Sequence, residues 1–349
     1  MKILIFTKNW VGDLLFQMPA IDAVAAQWPE AEIVCLVPAR CREMLRAHPR
    51  VSRVLIFDER REQKSWPARL AFGLKLRGET WDRAFLFHRS RTRAFIAFLA
   101  GARERAGYGK KRAWLLTQTL EEPAEKIHHV DYFLNLVRAA GVQTPENQGY
   151  RFYFSQEDEL QALDLMTSLE IRPRGFVCFH LGANWEPKRW PPEHFARLAE
   201  KIHEHFGLAA VLTGAPEDRP LAEAVLRHAG RARVLSLIGR TGLRVLGALF
   251  SRSACVVSGD SGPMHIAAGS GARVAALFGP TDPAQTGPRG QGESLVIHHV
   301  PEGFTSPWYG SSLPEGGWLS KIEPEEVFEA LRRKGWLQPA PAERGTGAE

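Results

Sequence analysis

The sequence has few of the features that commit a chain to a disulfide-stabilised or membrane-spanning class. Its 349 residues include four cysteines, none of them in a Cys-x-x-Cys pair. Three of the four lie inside apolar, strand-like runs, which favours buried free thiols over disulfides or a zinc site. No uninterrupted apolar stretch is long enough to span a bilayer, and the apolar run at the N-terminus is too short for a signal peptide. We therefore expect a cytoplasmic protein.

Two short motifs of nucleotide-binding enzymes are also absent. The loop after the first strand-like run, 2–6, holds one glycine, Gly12, and so lacks the Gly-x-Gly-x-x-Gly pattern that binds dinucleotides. This absence argues against nicotinamide chemistry. The sequence also has no Asp-x-Asp pair that would hold a divalent ion at a diphosphate. We therefore expect neither a resident metal ion nor a cofactor.

The composition is that of a soluble globular protein, with 44% hydrophobic and 24% charged residues. The length predicts two domains, each large enough for its own core. The formal net charge of +6 indicates an anionic partner. Nucleic acid, an acidic membrane surface and a phosphorylated substrate all remain open on this ground.

Short apolar runs, among them the predicted strands 209–213 and 274–278, alternate with helical patterns along the chain, which predicts βαβ units and parallel sheets. The pattern breaks after a strand-like run at 151–154 and a helix at 157–169, in the segment 171–175, and then restarts. We therefore predict a first domain over 1–172, a second over 173–336, and a disordered Pro/Gly/Ala-rich tail over 337–349.

The stretch 256–283 organises the second domain. An apolar run turns into a short helix predicted over 264–269, with Asp260 or Ser261 near its N-cap and Pro263 in its first turn. A helix N-terminus presents unpaired amide N–H groups and a positive dipole end, which suits a phosphate group. The residues alone leave two interpretations open: an anion site at the carboxyl end of a strand, or only a well-capped helix.

Gly12-Asp13, at the predicted turn between the first strand and the first helix, is the candidate catalytic position. A carboxylate there lies at the ligand-binding edge of a parallel sheet, within reach of a reaction that needs a base to take a proton from an attacking hydroxyl. The commoner alternative is a helix N-cap or first-turn acid.

Residues 88–112 carry eight basic side chains against one acid. A solvated basic face is the usual explanation for such a run. The alternative is a platform for phosphate and carboxylate groups, which arginine binds through paired hydrogen bonds. We predict that Arg89, Arg93 and the cluster 103–112 lie at loop or helix ends rather than inside strands.

Two other partners are considered for this basic run. Lys110 and Lys111, with Trp114 close by, suit the anionic headgroups of a membrane surface. A nucleic-acid-binding module would also use such a run, and it predicts steeply salt-dependent binding. Few aromatic residues interleave the basic ones, however, and no DNA- or RNA-binding motif is present.

The run Asp-Ser-Gly-Pro-Met-His at 260–265, followed by Gly-Pro-Thr-Asp-Pro at 279–283, resembles the signature of the ADP-heptose:lipopolysaccharide heptosyltransferases, glycosyltransferase family 9. Three further places resemble that family: Gly-Asp and Pro-Ala within 12–20, Lys-Arg-Trp-Pro at 188–191, and Thr-Gly-Ala-Pro-Glu at 213–217. Their order and spacing across two α/β domains make the resemblance span nearly the whole chain.

The resemblance implies an α/β protein of the GT-B fold, with two Rossmann-like domains facing each other across a cleft and a final helix that packs back across the first domain. It implies inverting, metal-independent transfer of heptose from ADP-heptose to an anionic, lipid-anchored lipopolysaccharide core. Asp13 is then the general base, and the protein is cytoplasmic or peripheral at the inner face of the inner membrane.

The candidate site residues fall into two groups. Lys188 would neutralise the departing diphosphate, a task that a metal ion performs in other transferases, although a solvated loop lysine is the commoner case. His265 is expected to bind rather than to transfer a proton. The donor-binding candidates are Lys188, Glu217, Thr241, Asp260, Ser261, Gly262 and His265, and the acceptor-binding candidates are Arg89, Arg91, Arg93, Lys110 and Lys111.

Alternative functions remain at this stage. A GT-B transferase with another nucleotide-sugar or acceptor shares these features. A sugar-nucleotide epimerase shares the fold and needs no acceptor. The region 60–125 shows no comparable signature, so the resemblance does not imply the identity of the acceptor.

Overall fold

The computed structural model describes residues 1–59, 61–146, 148–300 and 317–339. The chain divides into two compact units, Met1–Tyr153 and Phe154–Glu349. Each unit contains a six-stranded sheet in which every described pairing is parallel. The alternation of apolar runs with helical patterns therefore predicted the architecture of both units.

Unit 1 has the strand order β3-β2-β1-β4-β5-β6. Its central strands are almost wholly apolar because both of their faces are buried under helices. The strands are β1 Lys2–Phe6, β2 Glu32–Val37, β3 Arg53–Ile56, β4 Arg83–Leu86, β5 Glu104–Tyr108 and β6 Gln118–Leu120, and the helices are α1 Val11–Gln27, α2 Arg42–Arg46, α3 Trp66–Leu76, α4 Arg91–Leu99 and α5 His129–Ala139.

Unit 2 has the strand order β12-β11-β10-β7-β8-β9. Its main hydrophobic cluster packs one face of the sheet against the helices 192–206, 219–228 and 324–333, and it includes the residues around the end of the last helix. The strands are β7 Phe176–His180, β8 Ala209–Thr213, β9 Val234–Ser236, β10 Val256–Gly259, β11 Val274–Phe278 and β12 Ser294–His298, and the helices are α6 Gln156–Ser168, α7 Pro192–Phe206, α8 Arg219–His228, α9 Leu243–Arg252, α10 Gly262–Gly269, α11 Pro283–Thr286 and α12 Pro324–Arg333.

The division between the units falls before α6, whereas the sequence placed it after residue 172. The reason is that α6 packs against α9 of unit 2. Asp158 on α6 pairs with Arg244 at 3.4 Å, and Glu159 pairs with Arg252 at 2.9 Å. The strand predicted over 151–154 is wrong, because that segment is irregular.

The end of the described chain also differs from the prediction. Leu337, at the predicted start of the tail, is buried in the core of unit 2 together with Trp336. Residues 340–349 of that predicted tail lie outside the described residues. The final helix, α12, packs against α7 within unit 2, and its predicted packing across the first domain stays a prediction. No helix in the described ranges is both long and apolar enough to cross a membrane.

Candidate active site

The turn from β10 into α10 forms the candidate anion site, defined by residues 260–262. Ser261 is the N-cap of α10, and its Oγ accepts a hydrogen bond from the backbone N–H of Met264 at 3.3 Å. Ser258 Oγ lies 3.1 Å from Ser261 Oγ and holds the cap from the strand side. Pro263 occupies the first turn, where a missing N–H costs no helical hydrogen bond. The Met264 N–H is thus engaged by the cap and Pro263 has none, so in this turn the Gly262 N–H and the positive end of the helix dipole are left for an anion.

Lys188 reaches this turn from the loop after β7. Its Nζ lies 2.5 Å from Asp260 Oδ2, and the same oxygen accepts a hydrogen bond from Thr281 Oγ1 at 2.7 Å. His265 Nε2 lies 3.8 Å from the other carboxylate oxygen. Three segments far apart in the sequence therefore meet at one buried carboxylate.

The charge of Asp260 follows from these contacts. Burial alone would raise its pKa, but the neighbouring His265 ring and the charge of Lys188 outweigh burial and hold the pKa well below its usual range. Asp260 is therefore a carboxylate at neutral pH. A carboxylate repels phosphate, so we infer that Asp260 positions Lys188 and Thr281 beside the anion site rather than touching the anion itself.

Gly259 lets the Lys188 loop approach the end of β10. A Cβ atom at this position would lie 2.1 Å from the carbonyl oxygen of Lys188, which is far inside van der Waals contact. The obstacle is backbone and not the end of a flexible side chain, so the loop itself would have to move. Gly259 is therefore required by the close approach of two backbone segments.

We expect Gly259→Ala to lower the free energy of unfolding by about 2 kcal/mol or more, because the added methyl overpacks a rigid contact. This corresponds to a fall in Tm of roughly 4–8 °C, measured by differential scanning calorimetry. Gly242→Ala is the matched control, since a Cβ there meets nothing within 4 Å. A Gly259→Ala protein as stable as the control would contradict this account of the contact.

The remaining donor-binding candidates occupy different environments. Glu217 is exposed on a short 3-10 turn, and Thr241 is partly exposed in the loop before α9. His265 is buried on α10 beside Asp260. Nothing in the structure tests their contact with a donor, so these roles stay predictions.

Asp218 is a structural residue of this edge that the sequence analysis missed. Its carboxylate accepts a hydrogen bond from the backbone N–H of Ala215 at 2.8 Å. A Cβ on Gly182 or on Gly214 would lie 2.1 or 2.8 Å from that carboxylate. The loops after β7 and β8 are thus packed around one buried acid, and the glycine that follows each strand was the signal for it.

Asp13 lies in the first turn of α1, at the carboxyl edge of the sheet of unit 1, with its side chain partly buried. It is not the N-cap, because Trp10 holds that position and makes no side-chain cap bond. Gln17 braces the turn from inside the unit: its Nε2 donates to the Asp13 carbonyl at 2.7 Å, and its Oε1 accepts from the Lys8 N–H at 3.1 Å. Asp13 therefore sits on a rigid turn, as a catalytic base requires.

Arg93 is buried, whereas the sequence analysis placed it in acceptor binding. Its guanidinium donates to the carbonyl of Thr7 and, at 2.6 Å, to Asn9 Oδ1, and it pairs with Glu59 at 3.2 Å. Only 2% of the residue is exposed. All three nitrogens of the guanidinium are thus bonded within unit 1. This favours a role for Arg93 in holding the loop before Asp13.

The other predicted basic residues are not equivalent. Arg105 lies inside β5, so the prediction that the cluster avoids strands is wrong there. Arg112 is buried and donates to the carbonyls of Tyr108 and His88 at 2.7 and 2.6 Å. The side chain of Lys110 lies outside the described residues. Among the acceptor-binding candidates, Arg91, Lys111 and Arg89 are exposed, and Arg89 pairs with Glu122 at 3.3 Å.

His88, just beyond β4, is a further group at this edge that the sequence analysis did not assign. Its Nδ1 accepts a hydrogen bond from the Ser90 N–H at 3.1 Å. Burial, followed by the charges of Arg93, Lys8 and Arg112, lowers the pKa of His88 to about 3. The imidazole is therefore neutral at physiological pH, among cations whose field favours an anionic ligand.

The comparisons with known proteins agree with this geometry. Residues 69–303 match the family model described as glycosyltransferase family 9 (heptosyltransferase). The chain belongs to glycosyltransferase family 9. The resemblance found in the sequence is thereby confirmed, and so is the prediction that the protein is a glycosyltransferase.

Curated relatives and a solved structure align with almost the whole of this chain. Lipooligosaccharide heptosyltransferase 2 of Haemophilus ducreyi is 30% identical over 95% of this chain and 99% of its own length. Lipopolysaccharide heptosyltransferase 2 of Salmonella typhimurium is 30% identical over 95% of this chain and 97% of its own. The structure of E. coli ADP-heptose lps heptosyltransferase II superposes with a TM-score of 0.78 at 26% identity, covering 95% of this chain and 98% of the other. The predicted α/β, GT-B fold class is confirmed.

The described residues give no direct information on metal use. In those ranges, no group of three or more His, Cys, Asp or Glu side chains is placed to hold a metal ion. Metal independence therefore stays a prediction, and its test is given with Lys188 below.

Proposed function

We propose that this family 9 glycosyltransferase moves heptose from ADP-heptose to an anionic lipopolysaccharide core acceptor, with inversion at the anomeric carbon and without a metal ion. The observation that carries the proposal is the Lys188–Asp260–Thr281 arrangement beside the N-terminus of α10. It provides a fixed cation and backbone amides together, as a departing diphosphate requires. The names of the relatives support the donor and the kind of acceptor.

Unit 2 is the proposed donor site. The diphosphate lies on the amides at Ser261 and Gly262, with the ammonium of Lys188 beside it. A lysine ammonium has three donors, and its contact with Asp260 uses one. The others are directed to phosphate oxygens, where they offset the negative charge that grows as the bond between the sugar and the phosphate breaks.

Unit 1 supplies the proposed general base. The oxygen of an acceptor hydroxyl attacks the anomeric carbon from the face opposite to the ADP group. Asp13 takes the hydroxyl proton, the new C–O bond forms, and the bond from the anomeric carbon to the phosphate oxygen breaks with its electron pair leaving on ADP. One displacement of this kind inverts the anomeric centre.

The acceptor is proposed to be lipid-anchored and anionic, so the enzyme works at the cytoplasmic face of the inner membrane. Arg89, Arg91 and Lys111 are the exposed basic residues that support contact with anionic groups. Their positive field, together with the cations around neutral His88, favours phosphate or carboxylate on the acceptor.

A thermal-shift panel of ADP, UDP, GDP and their sugars tests the donor. We expect ADP and ADP-heptose to raise Tm, because a ligand at about a hundred times its Kd stabilises the native state by about 2.7 kcal/mol. Stabilisation by UDP compounds and not by ADP would overturn the donor assignment. Incubation with the donor alone separates an epimerase from a transferase, since only an epimerase returns an isomerised sugar-nucleotide.

A further inference from the structure

Helix α3 of unit 1 presents an apolar outer face. Trp66, Leu70 and Leu74 are 60%, 43% and 48% exposed. They are spaced four residues apart and therefore lie along one side of the helix. Pro67 and Ala71, on the same side, are exposed as well. These five residues are called the α3 face below.

The opposite side of α3 provides its packing. Gly73 and Leu76 are buried, and a Cβ on Gly73 would lie 3.0 Å from the side chain of Leu99 on α4. Trp66, at the N-terminal end of the α3 face, also has its ring edge-on to Phe95 of α4, with ring centroids 6.2 Å apart. The helix is thus anchored by its inner side, and the outer leucines are not needed for that packing.

The large exposed apolar residues are concentrated in this region. Ten such residues occur among the described positions, and five of them lie within 66–114. Besides the three on α3, these are Phe98 on α4 and Trp114 on the 3-10 turn Lys110–Leu115, which packs against α4. Scattered exposed apolar residues need no explanation, but a clustered set indicates an interaction surface.

The charges beside the α3 face have one dominant sign. The segment 61–77 contains five basic residues and one acid. Lys64, Lys75 and Arg77 are exposed at the two ends of the helix. Tryptophan and leucine on one helix face, flanked by lysine and arginine, are typical of helices that lie in the interface of an anionic membrane.

We propose that the α3 face docks on an anionic lipid bilayer. Trp66, Leu70 and Leu74 enter the boundary between headgroups and acyl chains, and the flanking basic residues lie against lipid phosphates. A two-fold contact between two copies of this chain would bring the same basic residues against each other, which disfavours a second copy as the occupant. The physiological reason rests on the proposed function, because a lipid-anchored acceptor requires the enzyme at a membrane, but the binding itself does not depend on transfer.

Sedimentation with phosphatidylcholine vesicles, with and without phosphatidylglycerol, tests the docking of the full chain. We expect binding to the anionic vesicles, and about a tenfold weaker partition for Leu70→Gln/Leu74→Gln, because less apolar area enters the bilayer. The matched control is Leu160→Gln/Leu226→Gln on α6 and α8, whose leucines are 55% and 46% exposed. The control should bind like the wild type.

The basic residues are tested separately. Lys75→Gln and Arg77→Gln should each weaken binding to anionic vesicles about fivefold. They should leave binding to neutral vesicles nearly unchanged, and added salt should reduce the difference.

Three results would overturn the docking proposal. The first is that the wild type does not bind anionic vesicles, and the second is that Leu70→Gln/Leu74→Gln binds them as well as the wild type does. The third is a dimer that forms without lipid in sedimentation equilibrium and that this variant abolishes, which would assign the face to a second copy. Transfer to a lipid-free acceptor fragment should be unchanged in Leu70→Gln/Leu74→Gln. If the wild type transfers nothing to any acceptor, the proposed function fails whatever the vesicles show.

Discussion

Replacing Asp13 with asparagine should lower the rate of heptosyl transfer about a thousandfold while leaving ADP binding intact. The expected size is that of general base catalysis, which contributes about 10²–10⁴ in rate. The substitution keeps the shape of the side chain, and the bracing bonds of the turn use the backbone of Asp13 and the side chain of Gln17. Turnover is measured with labelled donor, and ADP affinity by calorimetry.

The alternative role of Asp13 is that of a first-turn acid, which stabilises α1 through the helix dipole by about 0.3–1 kcal/mol. Asp131→Asn is the control for that effect, because Asp131 is the first-turn acid of α5 in the same unit. Asp131→Asn should lose at least the stability that Asp13→Asn loses, and Asp13→Asn alone should lose transfer. Turnover of Asp13→Asn within a few-fold of the wild type would remove the residue from the mechanism.

The sequence predicted the strands that read as continuous apolar runs and missed three others, β5, β6 and β12. Val274–Phe278 and Ala209–Thr213 are continuous apolar runs, and their predicted bounds agree with the structure. The edge strands Gln118–Leu120 and Ser294–His298 have exposed faces, so their polar residues resemble a loop. The hydrophobic pattern of a strand reflects its burial, and these two strands are buried too little to be recognised by it.

The basic residues were the second source of error in the predictions from sequence. Arg93 was counted with a solvated or ligand-binding run, but it is buried against the carbonyl of Thr7, far away in sequence. The identity of a basic residue does not show whether its guanidinium faces water or backbone carbonyls, because both satisfy its donors. Helix α4, which carries Arg93, was not predicted from the sequence.

The sequence assigned both Lys188 and the 260–262 turn to the diphosphate, but it did not predict the direct contact between Lys188 and Asp260. The N-terminal turn of α10 follows from local chemistry, since the cap and the proline are adjacent in sequence. The pairing of Lys188 with Asp260 joins positions 72 residues apart. Only the sheet order, which places β10 beside β7, brings these two loops to the same edge. That placement changes the interpretation of Asp260 from a ligand of the donor to a residue that positions Lys188.

Lys188→Met should reduce kcat by about 10²–10³, because it removes a preorganised charge that acts on the leaving diphosphate. The variant also leaves the carboxylate of Asp260 buried without its cation, which can cost about 3–5 kcal/mol of stability. Loss of activity in this variant alone would therefore mix a catalytic effect with an unfolding effect. Stability must be measured alongside turnover.

Two further variants separate these effects. Lys188→Met/Asp260→Asn removes the buried charge together with its partner and should recover most of the stability while remaining inactive. Asp260→Asn keeps the ammonium but weakens its positioning by the contact at 2.5 Å, and it should lose less activity than Lys188→Met. Recovery of both stability and turnover in the double variant would show that Lys188 serves the fold and not the reaction.

The same assay tests the absence of a metal ion from the mechanism. If Lys188 and the amides of α10 supply the charge stabilisation, EDTA should leave the turnover of the wild-type enzyme unchanged, and added magnesium should not restore Lys188→Met. A loss of transfer in EDTA that magnesium reverses would mean that an ion, rather than Lys188, neutralises the diphosphate. The electrostatic argument for the 260–262 turn would then fail, even if Asp13 kept its role as the base.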